Sequence, residues 1–360
     1  MKHKKQLFTP GPSNVPDPIL EELSKDVIHH RMGDYKKILE DVTGKLKSVF
    51  KTSEDVLILT SSGTGAMESS IVNLFSKGDH VLVINTGNFG DRYIEIAEVF
   101  GLKVSSLKYE WGNTYSLAEV KQFLADNTDV KGILMTYHET STGVLNDVKR
   151  IGELTKDTDT LLITDCISGM IVHPFEFDQW NVDCAVASSQ KGFLLPPGIS
   201  FVSISKKAQK QMERSNLPKY YWDYKKYYDY LKKGQPPFTP AIQLIVGLNK
   251  ALTYILEKGV TTINTEKQEL RTYTEERFKE IGFTLFIEDE SIRGNVLVPV
   301  VPTNKDLDIK KLTKILDETY DLSVSKGQGQ YVTKMLRIGI LSEIGKDDID
   351  DLIGKIKAIV

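Results

Sequence analysis

The chain of 360 residues has only two cysteines, Cys166 and Cys184, and they form no C-x-x-C pair. So few thiols, without a disulfide or redox pattern, point to a reduced, cytoplasmic setting. Their neighbours Ile163, Ile167, Val182 and Val186 mark them as buried, inert thiols. Long apolar runs are missing too, so no segment reads as a membrane span. The basic start Met1-Lys2-His3-Lys4-Lys5 runs into Gln6-Leu7-Phe8-Thr9-Pro10 rather than an apolar stretch, which argues against a signal peptide. An excess of one charge is absent, with 46 Lys+Arg against 49 Asp+Glu and a net charge of −3. That balance offers no electrostatic case for nucleic acid or an anionic membrane. The six histidines show no metal-ligand spacing, and His29-His30-Arg31 reads as a polar helix end. No repeat, low-complexity tract or Walker A sequence occurs.

What is present is a regular alternation. After a turn-rich arm, Thr9-Pro10-Gly11-Pro12-Ser13-Asn14-Val15-Pro16, the stretch from Ile19 to Phe50 is mostly helical in pattern. Apolar strand-like runs then start at Val56, Val81, Val104, Gly132, Thr160, Cys184 and Ser200, with helical segments between most of them. Such spacing predicts an α/β fold with a mostly parallel sheet and helices on both faces. Ligands in these sheets sit beyond the carboxyl ends of the strands. The segment Leu217 to Thr239, rich in Tyr and Lys, reads as a long surface excursion, and its tyrosines as an interface or packing segment rather than a nucleic-acid stacking platform. A helix over Ala241–Glu257 closes at Gly259. A smaller unit of helices and strands follows to Val360. The expected division is an arm over 1–18, a large domain over 19–255 and a small α+β domain over 256–360.

The candidate chemistry falls at strand ends. Ser62-Gly63-Thr64-Gly65 links a strand to a helix and reads either as a phosphate-binding turn or as a plain tight turn. It is a poor dinucleotide fingerprint, because Glu68 replaces the third glycine and the next strand ends at Asn85 rather than an acid. Phe89 in Gly87-Asn88-Phe89-Gly90-Asp91-Arg92 suits stacking on a flat ring, or simply packing in a helix-capping turn. His138-Glu139-Thr140-Ser141-Thr142-Gly143 is not a zinc H-E-x-x-H site, since Thr142 replaces the second histidine. Its hydroxyls serve turn chemistry or a polar ligand. Asp165 ends one apolar strand, and Lys191, in Ser189-Gln190-Lys191-Gly192, follows the next. A carboxylate and an amine at one sheet edge are what pyridoxal phosphate chemistry needs. Taken singly, Asp165 also reads as a cap or ion-pair partner, and Lys191 as a surface lysine. Arg337 lies mid-strand in Met335-Leu336-Arg337-Ile338-Gly339 and needs a partner, either a substrate carboxylate or a structural ion pair.

The order of these motifs is more specific than any one of them. T-P-G-P-S-N at 9–14, S-G-T-G-A-M-E at 62–68, G-N-F-G-D-R at 87–92, H-E-T-S-T-G at 138–143 and T-D at 164–165 are followed by four more. Those are S-Q-K-G at 189–192, P-P-G at 196–198, T-P at 239–240 and L-R-I-G at 336–339. Over essentially its whole length the chain resembles the class V aminotransferases, most of all the alanine–glyoxylate and serine–pyruvate branch. The resemblance implies a fold-type I transferase with a seven-stranded, mostly parallel sheet, and pyridoxal 5'-phosphate as cofactor. Lys191 matches the lysine that binds the cofactor covalently as a Schiff base, and Asp165 the acid on its pyridine nitrogen. Gly63, Thr64, Gly65 and Gln190 match phosphate contacts, Phe89 the stacking aromatic, and Thr140 a hydroxyl near ring and substrate. Arg337 matches the arginine for the substrate α-carboxylate. Thr239 matches a residue that reaches the phosphate in a neighbouring subunit, implying a homodimer with shared active sites. Where some relatives carry a tyrosine shortly before that threonine, this chain has Pro236. The implied reaction is ping-pong transfer of an amino group from alanine or serine to glyoxylate or pyruvate. Phosphonate, ureidoglycine or aspartate transamination and lyase chemistry are the neighbouring alternatives. Cysteine desulfuration is disfavoured by the lack of any cysteine after Leu256. An NAD-dependent oxidoreductase lacks its fingerprint here, and a non-catalytic binding protein would be expected to have lost Lys191 or Asp165.

Overall fold

In the computed structural model, residues 5–360 are described. Seven strands form the main sheet in the order Val56–Leu59, Ser200–Ile204, Cys184–Ser188, Leu161–Asp165, Val130–Thr136, His80–Asn85, Lys103–Lys108. Only Ser200–Ile204 runs antiparallel to its neighbours. The others are parallel, as the strand–helix alternation requires. Every residue of Leu161–Asp165, Cys184–Ser188 and Ser200–Ile204 is buried, because helices cover both faces. Alternate side chains serve the two faces: Leu162 joins one core cluster, Leu161 and Ile163 the other.

Parallel pairing sets Thr136 beside Asp165 and Asp165 beside Val186. The carboxyl ends of these strands therefore share one edge of the sheet. The helix Gly63–Leu74 leaves this edge from the strand Val56–Leu59, and the helix Asn88–Val99 from the strand His80–Asn85. The mostly helical stretch from Ile19 to Phe50 is built from the helices Asp17–Leu23 and Gly33–Phe50.

A second sheet has five strands, in the order Gln6–Phe8, Leu322–Lys326, Leu336–Gly339, Leu297–Pro302, Phe283–Leu285. Its core also draws on the helices Val260–Glu280, Ile309–Tyr320 and Lys346–Ile359. The start of the arm joins this sheet. Gln6–Phe8 pairs in parallel with Leu322–Val324, and Phe8 is fully buried in this second core. The helix Ile242–Lys258 packs into the large core and ends at Gly259, whose φ of +85° suits glycine.

The Tyr-rich segment differs from the expected surface excursion. It contains the helix Tyr224–Leu231, with Tyr224 fully buried. Asn73 anchors it, donating from Nδ2 to Trp222 O (2.6 Å) and accepting from the Tyr224 amide (3.0 Å). Tyr224 and Ser69 share a hydroxyl–hydroxyl bond of 2.7 Å. A buried phenol with a partner is stable where composition alone suggests solvent.

Candidate active site

Lys191 sits on a turn that its own backbone closes. Leu195 N donates to Ser189 O (3.1 Å), Leu194 N to Lys191 O (3.1 Å), and Ser189 Oγ to Pro196 O (2.7 Å). At Gly192 a Cβ would lie 2.4 Å from Met170 O, so the turn admits no side chain there. Lys191 is only 8% exposed, and its Nζ donates to Pro10 O. The Thr9–Asn14 arm thus packs over the lysine. Gly11, at φ +112°, has no room for a Cβ against Lys191 Cδ.

Asp165, at its strand end, is 4% exposed. Its Oδ1 accepts from Ile167 N (2.7 Å), while no hydrogen bond from the described residues reaches Oδ2. Burial, aided by the Glu139 charge, pushes the Asp165 pKa up to about 7 against the pull of the Ile167 amide, Arg92 and Lys191. Burial also brings Lys191 down to about 8, with Arg337 and Arg92 pushing the same way and Asp165 opposing. The two groups therefore titrate close together near neutral pH.

Arg337 is 7% exposed in its strand. Its Nε donates to Lys326 O (2.8 Å) and its Nη1 to Thr140 O (2.8 Å). Both partners are carbonyls. Among the described residues no carboxylate pairs with it, so the structural ion pair is not what holds it. Two carbonyls fix the fork, and Nη2 is left for an incoming acceptor. Thr140 is buried beside it and contributes its carbonyl to the clamp.

The glycine turn opens the helix Gly63–Leu74, whose first amides have no intrahelical acceptor. Ser62 Oγ reaches only Gly65 N, at a long 3.5 Å. Free amides at a helix start favour an anion. Phe89 is half-buried at the start of the helix Asn88–Val99. Gln190 lies beside the lysine, its Oε1 accepting from Ser188 Oγ at 2.6 Å. Thr239 is the exception among the sequence candidates: it lies exposed on the surface of the chain. The two cysteines are buried and free, and burial raises both thiol pKa values, as expected for inert thiols.

Two residues inside quoted motifs received no role from sequence. Glu139 is fully buried, and its carboxylate accepts from the amides of Phe89 (3.0 Å), Gly90 (3.3 Å) and Ser141 (3.0 Å) and from Ser141 Oγ (2.5 Å). It thereby caps the helix that presents Phe89. Arg92 stacks on Phe89, 4.6 Å from the ring centroid, and its Nη1 donates to Thr64 Oγ1 at 3.2 Å. It ties the glycine turn to the aromatic. An acid in a turn and an arginine three residues after an aromatic were the available signals. The partners that give them their roles, Phe89 N and Gly90 N for Glu139 and Thr64 Oγ1 for Arg92, lie 28 to 50 residues away in sequence.

This donor set fits pyridoxal phosphate. Asp165 Oδ2 is unsatisfied and suits a protonated ring nitrogen, Lys191 supplies a buried amine, and the helix start suits a phosphate. The family pattern "Aminotransferase class-V" matches residues 6–352. A soluble hydrogenase 42 kDa subunit from Anabaena cylindrica is 33% identical over 363 residues, covering 100% of this chain and 94% of that protein. An L-aspartate–glyoxylate aminotransferase from Paracoccus denitrificans is 30% identical over 351 residues, covering 96% and 88% respectively. The crystal structure of an alanine–glyoxylate aminotransferase from Nostoc superposes with a TM-score of 0.95 at 26% identity, covering 100% of this chain and 96% of that one. With the sheet edge, the buried lysine–aspartate pair and a family match along nearly its whole length, the chain belongs to the class V aminotransferases, pyridoxal phosphate-dependent enzymes of fold type I.

Proposed function

We propose that the chain transfers the amino group of a small L-amino acid, alanine or serine, to a 2-oxo acid, glyoxylate or pyruvate, by alternating half-reactions. One observation carries this reading: a depressed amine, an unsatisfied carboxylate oxygen and an unpaired guanidinium edge belong to one buried site. Bound pyridoxal phosphate supplies an electrophilic aldehyde and a protonated ring that withdraws electrons from the substrate Cα. Asp165 would hold the ring nitrogen through Oδ2, and Gly63, Thr64, Gly65 and Gln190 the phosphate. Phe89 would cover the ring. Arg337 takes the substrate α-carboxylate through Nη2 and so orients the Cα–H bond. Lys191, held near neutrality by burial and by Arg337, accepts the Cα proton and returns it on the cofactor side.

Donor size follows from the cations. Arg92 faces Phe89 and Thr64, on the side of the ring and the phosphate turn, which leaves Arg337 for the substrate α-carboxylate. An uncharged side chain fits this arrangement better than aspartate. Relatives and structural neighbours named for glyoxylate support that acceptor. Exposed Thr239, with Tyr220 (72% exposed) and Tyr221 (37%) on the same segment, supports a homodimer in which Thr239 serves the partner's site. The two sheets, each with its own core, support a large domain over 19–255 and a small one over 256–360. No helix among the described residues is long and apolar enough to cross a membrane, and the free thiols fit a cytoplasmic setting.

A donor screen tests the reading. The cofactor-loaded protein is mixed with glyoxylate and with alanine, serine, aspartate or aminoethylphosphonate, and glycine is measured. Alanine or serine should give the highest kcat/KM. Glycine formed only from aspartate or the phosphonate would overturn the donor assignment, and undiminished turnover by Lys191→Ala would overturn the mechanism.

A further inference from the structure

A cavity of about 370 Å³ lies behind the turn that carries Lys191. Gly192 and Leu194 of that turn form one wall. The helices Ile242–Lys258 and Val260–Glu280 form a second, and residues 341–346 a third. Its apolar walls are formed by Ile171, Val172, Leu194, Ile255, Leu270 and Leu341.

Of the charged side chains in the lining, Lys258, Glu266, Glu343 and Lys346 are exposed, and Lys267 alone is buried. Lys267 is only 9% exposed, and its Nζ makes a single hydrogen bond, to Ile344 O at 3.3 Å. No carboxylate lies within ion-pair distance of it among the described residues. The nearby Lys258 is already paired with Glu266 at 2.5 Å. An ammonium has three donors, so two of those on Lys267 lack a protein acceptor. Burial accordingly lowers its pKa to about 8, with Lys258 adding to the effect and Glu266, Asp348 and Glu343 opposing it.

The backbone gives an independent pointer. Among the described residues, six that are not glycine have positive φ: Lys51, Ile171, Asn181, Leu194, Asp321 and Ser342. Lys51 and Asp321 close helices, where this geometry is ordinary. Of the other four, Ile171 (+73°), Leu194 (+61°) and Ser342 (+55°) all line this one cavity. For a β-branched residue such as Ile171 the conformation is a true outlier. Strain of this kind collects where a surface is shaped for a ligand.

We propose that this cavity is a second small-molecule site, and that it takes a carboxylic acid with a short aliphatic body. The carboxylate sits on Lys267 and the body against the apolar walls. A single buried cation matches a monoanion, whereas a phosphate dianion would bring a second charge that no buried cation offsets. An occupant would touch the turn carrying Lys191, both long helices and the end of the second sheet.

Isovalerate is the probe, because it has neither an amino nor an oxo group and is no substrate for transamination. Calorimetric titration is made into wild-type protein and into Lys267→Met, Ile263→Trp and Arg337→Gln. Ile263 also lines the cavity, one helical turn before Lys267, so the tryptophan occupies it while the lysine stays in the chain. Wild type and Arg337→Gln should bind isovalerate at one saturable site. Lys267→Met, Ile263→Trp and the neutral probe isovaleramide should each weaken binding about tenfold or more. Binding lost in Arg337→Gln but kept in Lys267→Met would place the acid on the substrate arginine and overturn the proposal. So would the absence of saturable binding in wild type. Neither result bears on the donor screen, so the two readings fail separately.

Discussion

Replacing Asp165 with asparagine isolates what burial does to that carboxyl. Folding raises its pKa from 3.8 to about 7. A folded value above the unfolded one means that the folded chain binds the proton more tightly. Stability from this group is then fully present below about pH 4, falls through the window between the two values, and is lost above about pH 7. A gap of about three pH units corresponds to roughly 4 kcal/mol. Between about pH 5.5 and about pH 8.5, roughly 2 kcal/mol of that remains to be lost. The Asp165→Asn chain has no such proton to lose. Reversible denaturant unfolding of the cofactor-free proteins at these two pH values measures the difference. The variant should gain on wild type by about 2 kcal/mol from the lower pH to the higher. With pyridoxal phosphate bound the advantage should reverse, because the ring nitrogen loses its carboxylate. An identical difference between variant and wild type at both pH values would refute the account of a carboxyl held ready by burial.

Four further outcomes follow from the geometry. Arg337→Gln should lower donor kcat/KM by about 10- to 150-fold, the worth of one hydrogen bond to a charged group. Arg337→Lys should not restore it, since a compact ammonium lacks the planar fork that spans Lys326 O, Thr140 O and a substrate carboxylate at once. Capture of pyridoxal phosphate by the cofactor-free protein should quicken about tenfold from pH 7 to pH 9, as Lys191 deprotonates near 8. In Arg337→Gln, stopped-flow absorbance should show that rise at higher pH, because the guanidinium no longer holds the amine down. Glu139→Ala should lose at least about 2 kcal/mol in chemical denaturation, leaving the Phe89, Gly90 and Ser141 amides unpaired. Tyr224→Ala should lose about 3–5 kcal/mol and Tyr224→Phe only about 1, if the segment is the core element it is in this structure.

Much of the site was legible because its residues stand at the ends of apolar runs. Asp165, Lys191 and Thr140 follow strands whose buried runs need no distant information, and parallel order then puts them on one edge. Glu139 and Arg92 escaped notice for the opposite reason. A glutamate in a turn and an arginine on a helix are ordinary until the amides of Phe89 and Gly90, or Thr64 Oγ1, are brought to them. The Tyr-rich segment reads both as a surface excursion and as a packing segment, because aromatic and lysine content looks the same on a surface as over a core. Only Asn73 and Ser69, about 150 positions earlier, decide that Tyr224 is inside. The three-residue strand Gln6–Phe8 was too short to show a period, and its partner starts at Leu322.

By itself the sequence determined the chemistry on offer: the α/β alternation, the glycine turn, one strand-end acid, one strand-end lysine and one arginine among apolar residues. Those are local facts, set by side-chain type and by hydrogen bonds within a few residues. Tertiary structure decided how those groups behave. It buried Lys191 under Pro10 and Gly11, left Asp165 Oδ2 unsatisfied, and fixed Arg337 between Lys326 and Thr140. It also enclosed Lys267 in a cavity that no motif announces. A proton affinity depends on desolvation and on charges brought from distant parts of the chain, and neither exists until the chain has folded.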